Sequence, residues 1–387
     1  MSPGDNDRSK KPSWHNEPSG SMIAAILNEN PSTDIPPKDS FTYKHDSPRP
    51  TLPSQDWCLV RVKAAGLNRA ELRGRAALPP GRAELNIFQD EYHEAPPKIL
   101  GEEMVGVVEQ AGSETSFKAG AVVTAFIYGG GKAHDGAYAQ YAICHKRRLY
   151  QLPFSDADDV EKRMGWEVLG AIPMSMWTAY GSVFEAGRLG HRCKGNKEVL
   201  LIHGATSSVG IWAILLAKDK GFTVVATTRK ENKIQRLKAA GADHIILDQD
   251  LDQEISKLFP DGVDVVLELV GPDATERTLC LTARYGSVVC TGVLSKQWSV
   301  EGFTPAIIPP CRNLTFYGMT NSGCLGSDDE GLDQVEPMLS YVISQVEAGK
   351  FKREVFLDKV FDLEDVGSAH EYMENNQAVG KVVVRVP

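Results

Sequence analysis

The pattern of apolar and polar positions changes character near residue 169, and that change organises the chain. Before it, apolar residues come in short runs bounded by turn residues: 24–27, 57–64 (WCLVRVKA), 104–110 (MVGVVEQ), 122–128 and 137–143. In 57–64 apolar and polar side chains alternate, as on a half-buried strand. A short helix at 68–75, a Pro-, Glu- and aromatic-containing loop at 79–97 and a Gly-rich mobile loop at 129–136 (GGGKAHDG) separate the runs. Together they predict a small barrel-like β domain.

Beyond 169 the pattern alternates. Residues 169–186 read as helical, and strands then follow at 199–202, 222–228, 244–247, 263–270, 287–291 and 314–317. The first four gaps carry helices at 208–220, 231–240, 251–259 and 272–283, which predicts an α/β, doubly wound sheet of six parallel strands. The tail repeats the alternation at 332–348, 355–361, 363–374 and 380–386. Its last strand finds no partner in a completed sheet, so the tail is expected to return to the first domain. The expected divisions are an extension at 1–21, too polar to fold, a first domain at 22–168, a second at 169–321 and the return at 322–387.

Composition narrows the function classes. A chain of 387 residues suits two or three domains, and a net charge of −9 argues against a nucleic-acid or anionic-membrane surface. No apolar run has the ~18 residues of a membrane helix. The first 21 residues lack the apolar core of a secretory signal, and the seven cysteines are scattered without paired spacing, which together predict a cytoplasmic protein.

The chemistry concentrates in 198–210, EVLLIHGATSSVG. A buried strand ends in small residues and opens a helix, a junction that aims free backbone N–H groups at one point suited to phosphate. Gly204, Ser207 and Gly210 stand where a dinucleotide fingerprint has glycines, with Ala205, Thr206, Ser208 and Val209 between them. The hydroxyls of Thr206, Ser207 and Ser208 are possible phosphate donors; equally, Ser207 or Ser208 is a good cap for an ordinary strand-to-helix turn. The next strand ends in Thr228, Arg229, Lys230 and Lys233, a basic cluster where an acid would select NAD, so NADPH is the expected cofactor.

VRVKAAGLNRAEL (60–72), ILGEEMVGVV (99–108), DGAYAQY (135–141), the 199–210 turn, AGADHII (240–246) and GKVVV (380–384) occur in an order and spacing that resembles the medium-chain dehydrogenase/reductase superfamily. The resemblance implies a GroES-like β-rich catalytic domain joined to a Rossmann domain, and commonly a homodimer. In its zinc branch a Cys, a His and a later Cys hold the catalytic metal. Asn68, Glu102 and Met174 stand in those places, so no metal ligand is expected and the chain looks like the zinc-independent, quinone oxidoreductase-like branch. By that resemblance Asn68 contacts the nicotinamide amide or the substrate carbonyl, although its position before a helix also suits an N-cap. Thr178 lies by the ribose and phosphates, and Val270, Gly271, Gly292 and Val293 line the nicotinamide pocket. The chain departs from that branch in having Ala76, Ala77 and Leu78 where a Tyr often follows the Asn-containing helix, so the proton donor is expected to be Tyr128, Tyr92 or water. The implied activity is NADPH-dependent reduction of an activated C=C or a quinone. The alternatives are an alcohol dehydrogenase or carbonyl reductase, and a nucleotide-binding protein without redox chemistry.

Overall fold

The computed structural model describes residues 20–28, 34–76, 98–126, 128–191, 198–318 and 332–387. Apart from Gly20 and Ser21, the expected extension at 1–21 lies outside the described residues, as does the 79–97 loop with Tyr92. Strand β1 (Ser21–Leu27) pairs antiparallel with β2 (Phe41–Pro48), a strand whose FTYKHDSP sequence is mostly polar and shows no apolar alternation. The main sheet of this lobe contains β3 (Trp57–Gly66), β4 (Glu103–Ala111), β5 (Val122–Phe126), β6 (Tyr141–His145) and β7 (Leu149–Gln151). β6 begins later than the apolar run at 137–143 suggests, because the backbone of Ala137 and Tyr138 bonds to Gly101 and Leu100 instead. The Gly-rich segment at 129–136 is a close-packed turn. Gly136 donates to Ile99 O, and a Cβ there would lie 2.5 Å from Gly101 O.

The second sheet contains β8 (Val199–His203), β9 (Thr223–Thr228), β10 (His244–Leu247), β11 (Val263–Glu268), β12 (Thr282–Cys290) and β13 (Asn313–Phe316). Their order is β10-β9-β8-β11-β12-β13 and every pairing is parallel. This is the doubly wound order whose switch point falls beside the first strand, at β8. β12 starts five residues before the expected 287. Its early pairing of Thr282 with Val263 is followed by a register shift, and Tyr285 takes a positive φ of 67°.

The tail contributes β14 (Leu357–Asp362) and β15 (Lys381–Arg385), and β15 pairs antiparallel with β3, Val383 opposite Gly66. The seven-stranded sheet therefore includes both early and final segments of the chain.

Four helices frame the space between the sheets: α1 (Arg69–Arg75), α2 (Pro173–Tyr180), α3 (Ser208–Asp219) and α4 (Val366–Glu374). The expected helix at 169–186 is broken. Pro173 cannot continue the turn at Trp166–Leu169 and opens α2 instead, and a π-helical turn follows at Gly181–Ala186. α3 is apolar nearly all round because β8 covers one side and α2 another. Its Trp212 is fully buried, donates from Nε1 to Ala171 O at 3.1 Å and packs 4.7 Å from the Phe356 ring.

Candidate active site

A cleft of about 350 Å³ is lined by both lobes. Its central wall is the β8-to-α3 turn. Gly204 adopts φ +88°, and a Cβ there would come within 3.0 Å of Leu294, so only glycine suits both backbone and space. Gly210 is required for a different reason: its Cβ would lie 2.5 Å from Ala205 O. Ser207 is extended and caps α3, its Oγ accepting from Gly210 N–H at 3.1 Å. The turn is tied to β9 by Gly204 N–H to Thr227 Oγ1 (3.0 Å) and to the tail by Gly380 N–H to Thr206 O (3.1 Å).

Beneath this turn His203 bridges two carboxylates, Nδ1 to Glu268 at 2.8 Å and Nε2 to Asp248 at 2.6 Å. Burial opposes its charge, but the hydrogen bonds it donates to Asp248 and Glu268 outweigh that and raise the imidazole to about 9. Glu268 also accepts from the N–H of Val270 at 2.7 Å and of Gly271 at 3.3 Å, which fixes the end of β11. Gly292 N–H bonds to Glu268 O, and a Cβ on Gly292 would meet Leu269 O at 2.5 Å.

At the end of β9, Arg229, Lys230 and Lys233 line the cleft together with Arg69 of α1. Burial, then the neighbouring Arg229, lowers the pKa of Arg69. Clustered like charges favour an anion among them, and Arg229 already acts on the Asp248 carboxyl in the same cleft. Lys233 is partly committed: its Nζ donates to the carbonyls of Asn376 and Ala378, both at 2.9 Å.

The catalytic-lobe wall carries Asn68, and its amide is engaged internally. Oδ1 accepts from Lys381 Nζ at 2.6 Å, and Nδ2 donates to Gly66 O at 3.1 Å and to Glu103 Oε2 at 3.2 Å. Asn68 also begins α1: Glu71 reaches back to its N–H at 2.8 Å, one half of a capping box. Glu71 further accepts from Tyr138 OH and from Glu102 N–H, both at 2.7 Å, while burial and the adjacent Glu102 push its carboxyl up to about 7.

Of the residues singled out from sequence, Asn68, Thr178, Gly204, Thr206, Ser207, Ser208, Val209, Thr228, Arg229, Lys233, Val270 and Gly292 meet in the cleft. Ala205, Gly210, Gly271 and Val293 stand just outside its lining. Tyr128 is not brought to it. The ring is wholly buried, its hydroxyl donates to Gly101 O at 3.0 Å, and desolvation raises its pKa well above that of a free phenol. Thr178 reaches the cleft, and its hydroxyl donates to Met174 O at 2.7 Å. Sequence reasoning missed Arg69, Ser175, Asp248 and Lys381. Two of them lay inside quoted motifs, NRAEL and GKVVV, where they read as ordinary helix and strand residues.

The cleft fits a dinucleotide. It offers a helix N-terminus at a glycine-opened turn, hydroxyls beside it, and a cationic end where an adenosine 2′-phosphate would lie. It does not fit a catalytic zinc: Asn68 Oδ1 is held by Lys381, Glu102 pairs with Lys132 at 2.9 Å, and Met174 offers only a thioether. Among the described residues no group of three His, Cys, Asp or Glu is placed to hold a metal ion, and no helix is long and apolar enough to cross a membrane.

Comparison with known proteins agrees with this geometry. Residues 54–154 match the alcohol dehydrogenase GroES-like domain, and residues 208–336 match the zinc-binding dehydrogenase family. The synaptic vesicle membrane protein VAT-1 homolog of Danio rerio is 26% identical over 90% of this chain and 71% of its own length. A probable quinone oxidoreductase of Leishmania amazonensis is 28% identical over 84% of this chain and 88% of its own. The 2-methylene-furan-3-one reductase of Solanum lycopersicum is 28% identical over 85% and 72%. Among solved structures, a mycobacterial protein complexed with NADPH shares the fold at a TM-score of 0.72 and 20% identity, covering 94% of this chain and all of the other. With a GroES-like lobe, a parallel Rossmann sheet and these relatives, the chain belongs to the medium-chain dehydrogenase/reductase superfamily, in its quinone oxidoreductase-like branch.

Proposed function

We propose that the protein is an NADPH-dependent, zinc-independent reductase of an activated C=C or a quinone. The observation that carries the cofactor choice is the convergence of Arg69, Arg229, Lys230 and Lys233 at the end of β9, where NAD-selective sites present a carboxylate. When bound, the reduced nicotinamide supplies the hydride. The turn residues Gly204, Thr206, Ser207 and Ser208 bind the pyrophosphate, and Thr178 lies along the ribose. Val270 and Gly292 wall the nicotinamide end.

The reaction class follows from what the residues at the metal-ligand places can do. An amide, a salt-bridged carboxylate and a thioether provide no Lewis acid to generate an alkoxide from an alcohol. Adding hydride to a conjugated carbonyl is less demanding, since the charge developing on oxygen needs only hydrogen bonds. Tyr128 has no part in this, and the second tyrosine considered, Tyr92, lies outside the described residues. The relatives named as a quinone oxidoreductase and a furanone reductase support the same class. A cytoplasmic homodimer suits this reading.

Following NADPH absorbance against a panel of quinones and enones tests the proposal. Turnover with at least one conjugated acceptor, unchanged by a chelator, is expected. Tight NADPH binding without consumption by any acceptor would point instead to a nucleotide-binding protein without redox chemistry.

A further inference from the structure

Lys381 is among the largest side chains with no access to solvent, and reading the cleft as a cofactor site gives it no task. Taking an ammonium out of water costs several kcal/mol, and the carboxylate of Glu103 at 2.6 Å offsets that. The ammonium does more than pair, however. It has three hydrogens and no acceptor, and they go to Glu103 Oε2 (2.6 Å), Asn68 Oδ1 (2.6 Å) and Ser175 Oγ (3.2 Å).

The third contact imposes a direction. Ser175 accepts from Lys381 and donates its single hydrogen to Ser208 Oγ at 3.0 Å. Ser208 in turn accepts, and its own hydrogen has no acceptor among the described residues. Ser208 is the first residue of α3 and lines the cleft, as does Ser175. Without the lysine both hydroxyls could reverse.

We propose that Lys381 is a positioning residue which, through Ser175, orients Ser208 as a hydrogen-bond donor to an anionic oxygen of the bound dinucleotide. The inference rests on the cofactor reading above. A buried positive charge is thereby expressed at the phosphate turn without a cation having to touch the ligand, each bond polarising the next. Mere neutralisation of Glu103 would need neither serine.

Binding of NADPH to the full-length protein, by titration calorimetry, separates these. Ser175→Ala leaves the Lys381–Glu103 pair in place but cuts the chain, and it should raise the Kd about 5–20-fold, the loss of one charge-assisted hydrogen bond. Ser175→Thr, which keeps the hydroxyl, should return the Kd to within about twofold. Ser208→Ala should match Ser175→Ala, and the double variant should be no weaker than Ser208→Ala alone, because both cut one chain. Wild-type affinity in Ser175→Ala beside a weakened Ser208→Ala, or additive losses in the double variant, would overturn the relay while leaving the cofactor site intact. If the wild type bound neither NADPH nor NADH, the cofactor reading itself would fall.

Discussion

Glu103 Oε2 lies 2.6 Å from Lys381 Nζ with neither side chain exposed, and the pair passes over Gly66 on the strand between them. A Cβ on Gly66 would sit 2.5 Å from Lys381 Cε and would also collide with the Glu103 carboxylate. The ion pair therefore sets the residue allowed on β3 and joins β4 to β15 beneath the cleft. Removing one partner strands the other charge. Lys381→Met should cost about 3–5 kcal/mol, whereas Lys381→Met combined with Glu103→Leu should recover much of it. Denaturant unfolding of the single and double variants checks this, and equal losses in both would show that charge pairing is not what stabilises the site.

Arg229 and Lys233 lie in one cluster yet should behave differently. Arg229→Ala removes a guanidinium from the proposed 2′-phosphate site, a charge-assisted contact worth about 1.5–3 kcal/mol. NADPH binding should weaken by roughly 10- to 100-fold while NADH changes little. Lys233→Ala also frees the carbonyls of Asn376 and Ala378, so it should weaken both cofactors. Equal loss of NADPH and NADH in Arg229→Ala would remove the case for NADPH.

The contrast between these two charged features and the 199–210 junction shows what the chain discloses before folding. The 199–210 junction is legible because its signal is local: a buried apolar strand, small residues, then a helix. Lys381 is not, since a lysine opening GKVVV looks like any strand-edge residue, and its partner Glu103 is 278 positions away. Arg69 likewise reads as a surface helix residue until β9 brings Arg229 beside it. Tyr128 misleads in the opposite sense. An aromatic beside a Gly-rich turn suggests an exposed donor, but the turn folds inward and buries the ring against Gly101. Asn68 was open to two readings, and its N–H does meet Glu71 as at a helix cap while its amide also lines the cleft.

His203 should leave a mark on the pH dependence of stability. Its folded-state value of about 9 exceeds that of free imidazole, so the protonated form is favoured by folding. The contribution is fully present below about pH 6.5, declines as pH rises and is lost above about pH 9; its size is on the order of 3 kcal/mol. In His203→Gln that slope should vanish. Thermal midpoints of the two proteins from pH 6 to pH 9.5 would converge toward the alkaline end, and a constant difference across the range would mean that His203 is neutral in the folded protein.

Trp212 anchors the helix whose N-terminus lies within the turn at 204–210. Its ring is fully buried between Phe356 at 4.7 Å and Phe351 at 6.0 Å, and its Nε1–H satisfies Ala171 O. Trp212→Ala should therefore cost about 3–5 kcal/mol through the cavity alone, with a further penalty for the unpaired carbonyl. Trp212→Phe keeps most of the volume and loses the hydrogen bond, so a smaller cost of about 1–3 kcal/mol is expected. Although α3 also forms the cleft wall, its first turn is held by Ser207 and Gly210, so NADPH should raise the melting temperature of the Phe variant by as much as it raises the wild type. A loss of that ligand-induced shift at preserved folding would place Trp212 in the alignment of the turn rather than in the stability of the core.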